Sequence, residues 1–148
     1  MHCWIALVLM FVTANSAVGP DWKDAEVESE ILVTTSNPDG SERLTTIWIA
    51  VLDGTAFVRT SGTRWERNVE RNPDVVLTVA GKTRAVRLER VHDDDLVDRV
   101  QAQFRKKYGS VADRMARFVR FVLGGESRIY RATWEDRTDK SHSTPEFR

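Results

Sequence analysis

Cysteine is almost missing from this chain: there is one in 148 residues, Cys3. A disulfide within the chain is therefore excluded, and so is thiol chemistry in its body; the compartment is left open by this. Histidine is nearly as scarce. His2 and His142 lie near the ends and His92 stands alone between them, so the imidazole and thiolate cluster of a zinc site does not arise. Asp93-Asp94-Asp95 lacks the alternating ligands and closing glutamate of an EF-hand, and reads better as a helix cap. Neither sign of charge is in excess: 22 basic and 22 acidic side chains give a net charge of +0. A nucleic-acid binder usually carries a strong basic surplus, so that class is not expected. No apolar run is long enough to span a bilayer as a helix, residues 3–12 being the nearest, so no stable membrane span is expected. A nucleophile elbow of the G-x-S-x-G kind is absent as well. Gly81-Lys82-Thr83 fails as a phosphate loop, because Val76 stands where the first glycine is required.

What is present suits one globular domain: 148 residues, of which 41% are hydrophobic, are enough for a single core. Residues 3–12, CWIALVLMFV, have the length of the apolar part of a secretory signal. Small residues follow, Ala14 and Ser16 or Ala17 and Gly19, and either pair fits a cleavage site. Residues 1–19 are thus expected to be a signal peptide and the protein to be exported. No Lys or Arg precedes the apolar run, and a mis-chosen start on a cytoplasmic protein is the alternative. Cys3 has too few residues before it for bacterial lipid attachment. From Asp136 the chain is polar without a core pattern, which predicts a disordered tail over 136–148.

Between these ends the pattern is mostly β. Ile31–Thr35 is β-branched and short, and Asn37-Pro38-Asp39-Gly40 is a turn. Leu44–Leu52 and Thr55–Thr60 are strands joined by Asp53-Gly54, a two-residue hairpin signal. Residues 65–72 fit one or two helical turns stopped by Pro73. Val75–Val79 and Ala85–Val91 are strands joined around Gly81-Lys82. Leu96, Val97, Val100, Phe104 and Tyr108 recur at helical spacing, between the cap at Asp93 and Gly109. Segment 111–123 fits helix or strand equally, and Ser127–Trp134 is a closing strand. Consecutive hairpins favour an antiparallel sheet, and closing it into a small barrel removes its exposed edges.

One stretch carries chemistry. Arg43 begins a strand and Arg59 ends the next, and pairing across Asp53-Gly54 is expected to bring the two together. Thr60, Ser61 and Thr63 add hydroxyls, and Arg64 and Arg67 add guanidinium forks suited to a phosphate. The start of the following helix would contribute backbone N–H groups. Trp48 and Trp65 offer faces to a flat ring, or else fill the core as large aromatics usually do. The arginines are equally readable as solvated strand ends. The basic run Arg114, Arg117 and Arg120 reads as a solvated helix face before a membrane contact.

At these residues the chain resembles the pyridoxamine-phosphate-oxidase-like, flavin-binding split barrels, and within them a small bacterial family of uncharacterised function. The matching pieces are D-G-S-x-R at 39–43, T-x-W at 46–48, D-G-T-x-F-V-R at 53–59, G-T-R-W-x-R at 62–67, N-P at 72–73, A-G-K-T at 80–83 and K-K-Y-G at 106–109. The resemblance covers residues 22–135. It implies a six-stranded antiparallel split barrel with one or two flanking helices, usually a homodimer. The implied cofactor is flavin mononucleotide (FMN) or a deazaflavin coenzyme at the subunit junction. The positions that hold the phosphate in flavin-binding members correspond to Arg43, Thr45 and Thr46, then Arg59, Thr60 and Ser61. Many members carry a Lys where this chain has Trp65; Arg64 or Arg67 would have to serve instead. The functional expectation is a flavin-type cofactor-binding protein, with oxidoreductase chemistry on a substrate the sequence does not name. The alternative is a non-catalytic module for a small anion or a protein on the same fold.

Overall fold

The structure is a computed structural model and describes residues 21–109 and 127–134, with Arg114 between them. The expected leader over 1–19, the tail over 136–148 and, but for Arg114, segment 111–123 lie outside the described residues. The elements with described bounds follow in the order α1 (Lys23–Val27), β1 (Ile31–Ser36), β2 (Glu42–Ile47), β3 (Ile49–Leu52), β4 (Thr55–Thr60), α2 (Arg64–Arg71), β5 (Asp74–Val79), β6 (Lys82–Arg90), α3 (Asp94–Tyr108) and β7 (Arg128–Thr133). Among the described residues no helix is long and apolar enough to cross a membrane.

The strands form one antiparallel sheet in the order β2-β1-β5-β6-β7-β4-β3. Its two outermost strands are consecutive in the chain, and only Trp48 separates them. The sheet therefore has to curl until its edges meet at that residue, which is the split-barrel architecture. Counted as one bent strand, β2 and β3 reduce the seven to the six that the motifs imply. The uninterrupted strand expected over Leu44–Leu52 thus changes partner midway. Before Trp48 it pairs with β1, from Ile31↔Ile47 to Ser36↔Glu42; after Trp48 it pairs with β4, from Ile49↔Val58 to Leu52↔Thr55. A closing sheet needs such a corner, and a local pattern of alternating residues cannot reveal it.

The turns obey local chemistry. Asp53 and Gly54 both have positive φ, 50° and 74°, as a two-residue hairpin turn with the twist of its strands requires. The β5–β6 turn is Ala80-Gly81 and not Gly81-Lys82; Ala80 takes φ of 48° there, a conformation an alanine tolerates poorly.

Two apolar layers result. Inside the barrel, Val33, Ile49, Val58, Leu77, Val86 and Tyr130 pack with Trp65 and Val69 of α2. Outside it, α3 lays Val100 and Phe104 on Ala50, Phe57 and Ile129. The alternation of β3 and β4 explains this: Ile49 and Val58 face inward, while Ala50 and Phe57 face α3. Asp93 Oδ1 accepts the N–H of Leu96 at 3.0 Å and so caps α3, and Gly109 ends it at φ 63°.

Candidate functional site

The expected cradle residues fall into three groups. The first lies on β2. Arg43 and Thr45 share the inward face of that strand with Ile47, opposite Thr35 and Val33 of β1. Arg43 Nε and Thr45 Oγ1 are buried and make no hydrogen bond. A buried polar atom without a partner costs roughly 1–3 kcal/mol, so two adjacent ones call for an explanation. Thr46 lies on the other face of the strand and is exposed.

The second group lies on β4 and at the start of α2. Arg59 points outward to α3, where Nη1 donates to Gln101 Oε1 at 3.1 Å and the guanidinium lies 5.0 Å from the centre of the Phe104 ring. Thr60, its neighbour, points inward. Its Oγ1 lies 2.7 Å from Thr63 Oγ1 and donates to Glu66 Oε2 at 3.5 Å. Glu66 is 1% exposed and gathers the group: Gly62 N–H donates to Oε2 at 2.7 Å, Arg128 Nη1 to Oε1 at 2.7 Å, and Tyr130 OH to Oε1 at 3.4 Å. Burial, and then the charge of Glu66, push the Tyr130 phenol up to about 12. The same carboxylate raises the pKa of Arg128. Ser61 is half-buried beside this network. The signal for Glu66 stood in the sequence as the T-x-x-E spacing of Thr63 and Glu66, which marks a helix start. Here the carboxylate reaches back to the N–H of Gly62.

The third group is on the outer face of α2. Arg64 and Arg67 are exposed there and, with Arg71, line an open groove of about 720 Å³ between the helix and the β1–β2 turn at Asn37, Pro38 and Asp39. Asn68 ties the two sides together. It is 2% exposed, and its Nδ2 donates to Thr35 Oγ1 and to Asn37 Oδ1, each at 3.0 Å, while its Oδ1 accepts from Arg71 Nη2. Neither Asn68 nor Arg71 stands out in the sequence, because their partners are more than thirty residues away or are supplied only by the helix.

Arg43 and Arg59 thus lie on opposite faces of the sheet. The hairpin register that was to bring them together ends at Ile49↔Val58, where the chain turns off to pair with β1. The two indoles also part. Trp65, 4% exposed, is in the barrel core, and Trp48 stacks on Tyr108 at 4.6 Å with planes 9° apart. The K-K-Y-G end of α3 acts as a clamp behind that stack. Lys107 Nζ donates to the carbonyls of Ala25 (2.6 Å) and Ile49 (2.9 Å), and Tyr108 OH accepts the N–H of Ile49 at 3.1 Å. Loss of water holds Lys107 below and Tyr108 above their usual ranges.

A flavin-type coenzyme brings a phosphate and a flat ring. The donors left over on β2 fit the phosphate: a guanidinium nitrogen and a hydroxyl, both without an internal partner, next to an exposed Thr46. Trp65 offers no face to the ring, because the barrel core encloses it.

A seven-stranded antiparallel sheet curled to a split barrel, with unpartnered donors at its β2 edge, defines the class: a split-barrel protein. The chain matches the family described as "Uncharacterized protein conserved in bacteria (DUF2255)" over residues 23–119, and it belongs to that family. No curated protein matches it. Among solved structures it is similar to the protein Atu2129 of unknown function from Agrobacterium tumefaciens, at 23% identity and a TM-score of 0.62, covering 76% of this chain and 50% of that one. This chain thus spans half the length of that relative. It is similar to HutZ, the heme storage protein of Vibrio cholerae, at 20% identity and a TM-score of 0.60, over 76% of this chain and 85% of that one. An F420-H2 dependent reductase (FDR-A) shares 13% identity at a TM-score of 0.54, over 72% of this chain and 95% of that one. A Listeria innocua protein described as "Putative Pyridoxamine 5'-phosphate oxidase" is similar at 12% identity and a TM-score of 0.54, over 74% of this chain and 86% of that one. At these identities the likeness is one of fold.

Proposed function

We propose that this chain is one subunit of a homodimeric split-barrel protein that holds a flavin-type coenzyme, FMN or a deazaflavin, and uses it in redox chemistry. The observation that carries the reading is the pair of buried, unpartnered donors on β2, Arg43 Nε and Thr45 Oγ1. A phosphate oxygen at that edge would satisfy both, and the charge-assisted bond from Arg43 would be the stronger of the two. When bound, the coenzyme supplies the electron transfer, while the protein binds and orients it. A relative described as an F420-dependent reductase supports the deazaflavin form.

The alternative is a non-catalytic small-anion or protein-binding module. Two placements favour it: Arg59 is engaged by α3, and Trp65 occupies the core at the position where many flavin-binding members carry a Lys. The visible absorbance of the purified protein and a titration with FMN separate the two. Saturable binding that Arg43→Gln weakens supports the coenzyme. A colourless protein with no saturation at roughly tens of micromolar FMN leaves the binding module. Export belongs to the same proposal, and a mature chain that begins at Met1 would remove that part.

A further inference from the structure

We propose that the groove between α2 and the β1–β2 turn is a second anion site, distinct from the β2 edge, for a small molecule carrying a diphosphate. The groove has a built wall. Arg64, Arg67 and Arg71 recur every three or four residues and so share one helix face. Between Arg64 and Arg71 the helix rises about 10 Å, at roughly 1.5 Å per residue. Three like charges in one row repel one another, and each such pair costs a few tenths of a kcal/mol in a bare helix. An anion laid along the row reverses the sign of that interaction.

Two of the three guanidiniums are anchored. Arg67 Nη1 donates to Gly62 O at 3.3 Å, and Arg71 donates through Nε to Arg67 O at 3.2 Å and through Nη2 to the buried Asn68. The opposite wall is fixed too. Asn37 accepts from Asn68, donates through Nδ2 to Ser41 Oγ at 3.1 Å, and donates its N–H to Ser41 O at 2.8 Å. The groove also carries two carboxylates. Asp39 Oδ1 is occupied by the hydroxyl and N–H of Ser41, at 2.6 and 2.9 Å, and its pKa lies below the usual range for that reason. Glu70 is exposed on the helix and leaves the three arginines in the majority.

Arginine prefers phosphate oxygens in paired contacts. A single phosphate reaches only part of a row this long, whereas a diphosphate presents two separately oriented sets of oxygens. The volume of about 720 Å³ lies within the usual range of small-molecule sites, about 300–1,000 Å³, and leaves room for an organic group beyond the phosphates. The site goes beyond the flavin reading and needs neither Arg43 nor Thr45.

Calorimetric titration of the full chain with inorganic pyrophosphate and with inorganic phosphate tests it, together with the arginine Nε–H and asparagine amide resonances. Pyrophosphate is expected to bind about tenfold or more tightly than phosphate, to shift the resonances of Arg64, Arg67, Arg71 and Asn37, and to weaken about tenfold in Arg71→Gln. FMN titration of Arg71→Gln is expected to match the unchanged protein, so a failed flavin reading and a failed groove are told apart. Equal affinity for the two anions overturns the proposal, and so does an Arg71→Gln protein that binds pyrophosphate unchanged; the arginines are then a solvated helix face. Arg71→Gln also removes a hydrogen bond to the buried Asn68, so Arg67→Gln, which loses only an exposed bond to the Gly62 carbonyl, serves as the second variant and is expected to weaken pyrophosphate in the same way.

Discussion

α3 and α2 both lie against the barrel, and they are held by opposite means. α3 is held by an apolar stripe, Val100 and Phe104, finished by the Lys107 and Tyr108 clamp on the carbonyls of Ala25 and Ile49. Even Arg59 of β4 is absorbed into that packing. α2 is held by Trp65 and Val69 but also by two buried polar side chains, Glu66 and Asn68, and it keeps three arginines on its outer face. Beside it, β2 retains two donors without partners. The α3 side has spent its polar groups on holding the fold. The α2 side has not, and that is where a ligand can gain from binding.

The comparison can be broken at several points. The largest effect is expected on the α3 side: Phe104→Ala should cost about 3–5 kcal/mol in chemical denaturation, since the fully buried ring leaves a cavity over Phe57 and Ile129. A loss below that range would mean that α3 is not the tightly packed partner described. On the α2 side, Glu66→Gln should cost about 2 kcal/mol, as the Arg128 contact loses its charge and an amide donor can face the Gly62 N–H. An unchanged denaturation midpoint would show that Glu66 does not anchor the helix.

Alkaline titration probes the same network. The Tyr130 phenol is raised to about 12 in the folded chain from an ordinary 10.0. The folded state therefore keeps the proton longer than the unfolded one. The stability this contributes is complete below pH about 10 and is lost as pH rises towards about 12. Tyr130→Phe should flatten that decline, and tyrosinate absorbance that rises fully near the ordinary value would contradict it. Ala80→Gly should raise stability by about 1 kcal/mol by relieving the left-handed turn residue. The smallest effect separates binding from folding. Arg43→Met should leave stability unchanged or raise it by about 1 kcal/mol while FMN binding falls, because it removes the buried Nε donor that has no partner. A clear stability loss would make Arg43 a structural residue.

Much of the fold was legible in order along the chain. The hairpin at Asp53-Gly54, the stop at Pro73, the cap at Asp93 and the end at Gly109 depend on residues within a few positions of one another, so local chemistry suffices. The candidate site was legible only in its parts. The segment contains Arg43, Thr45, Arg64 and Arg67, yet the sequence has no means of assigning a residue to a face once a strand changes partner.

The amino-acid order by itself determined a β-rich chain with short helices, its turns, and a cationic, hydroxyl-rich stretch around the second hairpin. The tertiary structure decided on which face each of those cations lies. The turn at Trp48 sends Arg43 inward and leaves Arg59 under α3, and helix packing sends Trp65 into the core while Arg64, Arg67 and Arg71 stay on the groove. The reason is physical: propensities and turns act over a few residues, whereas barrel closure is imposed by strand pairs far apart in the chain, and closure alone says which face of a strand is inside.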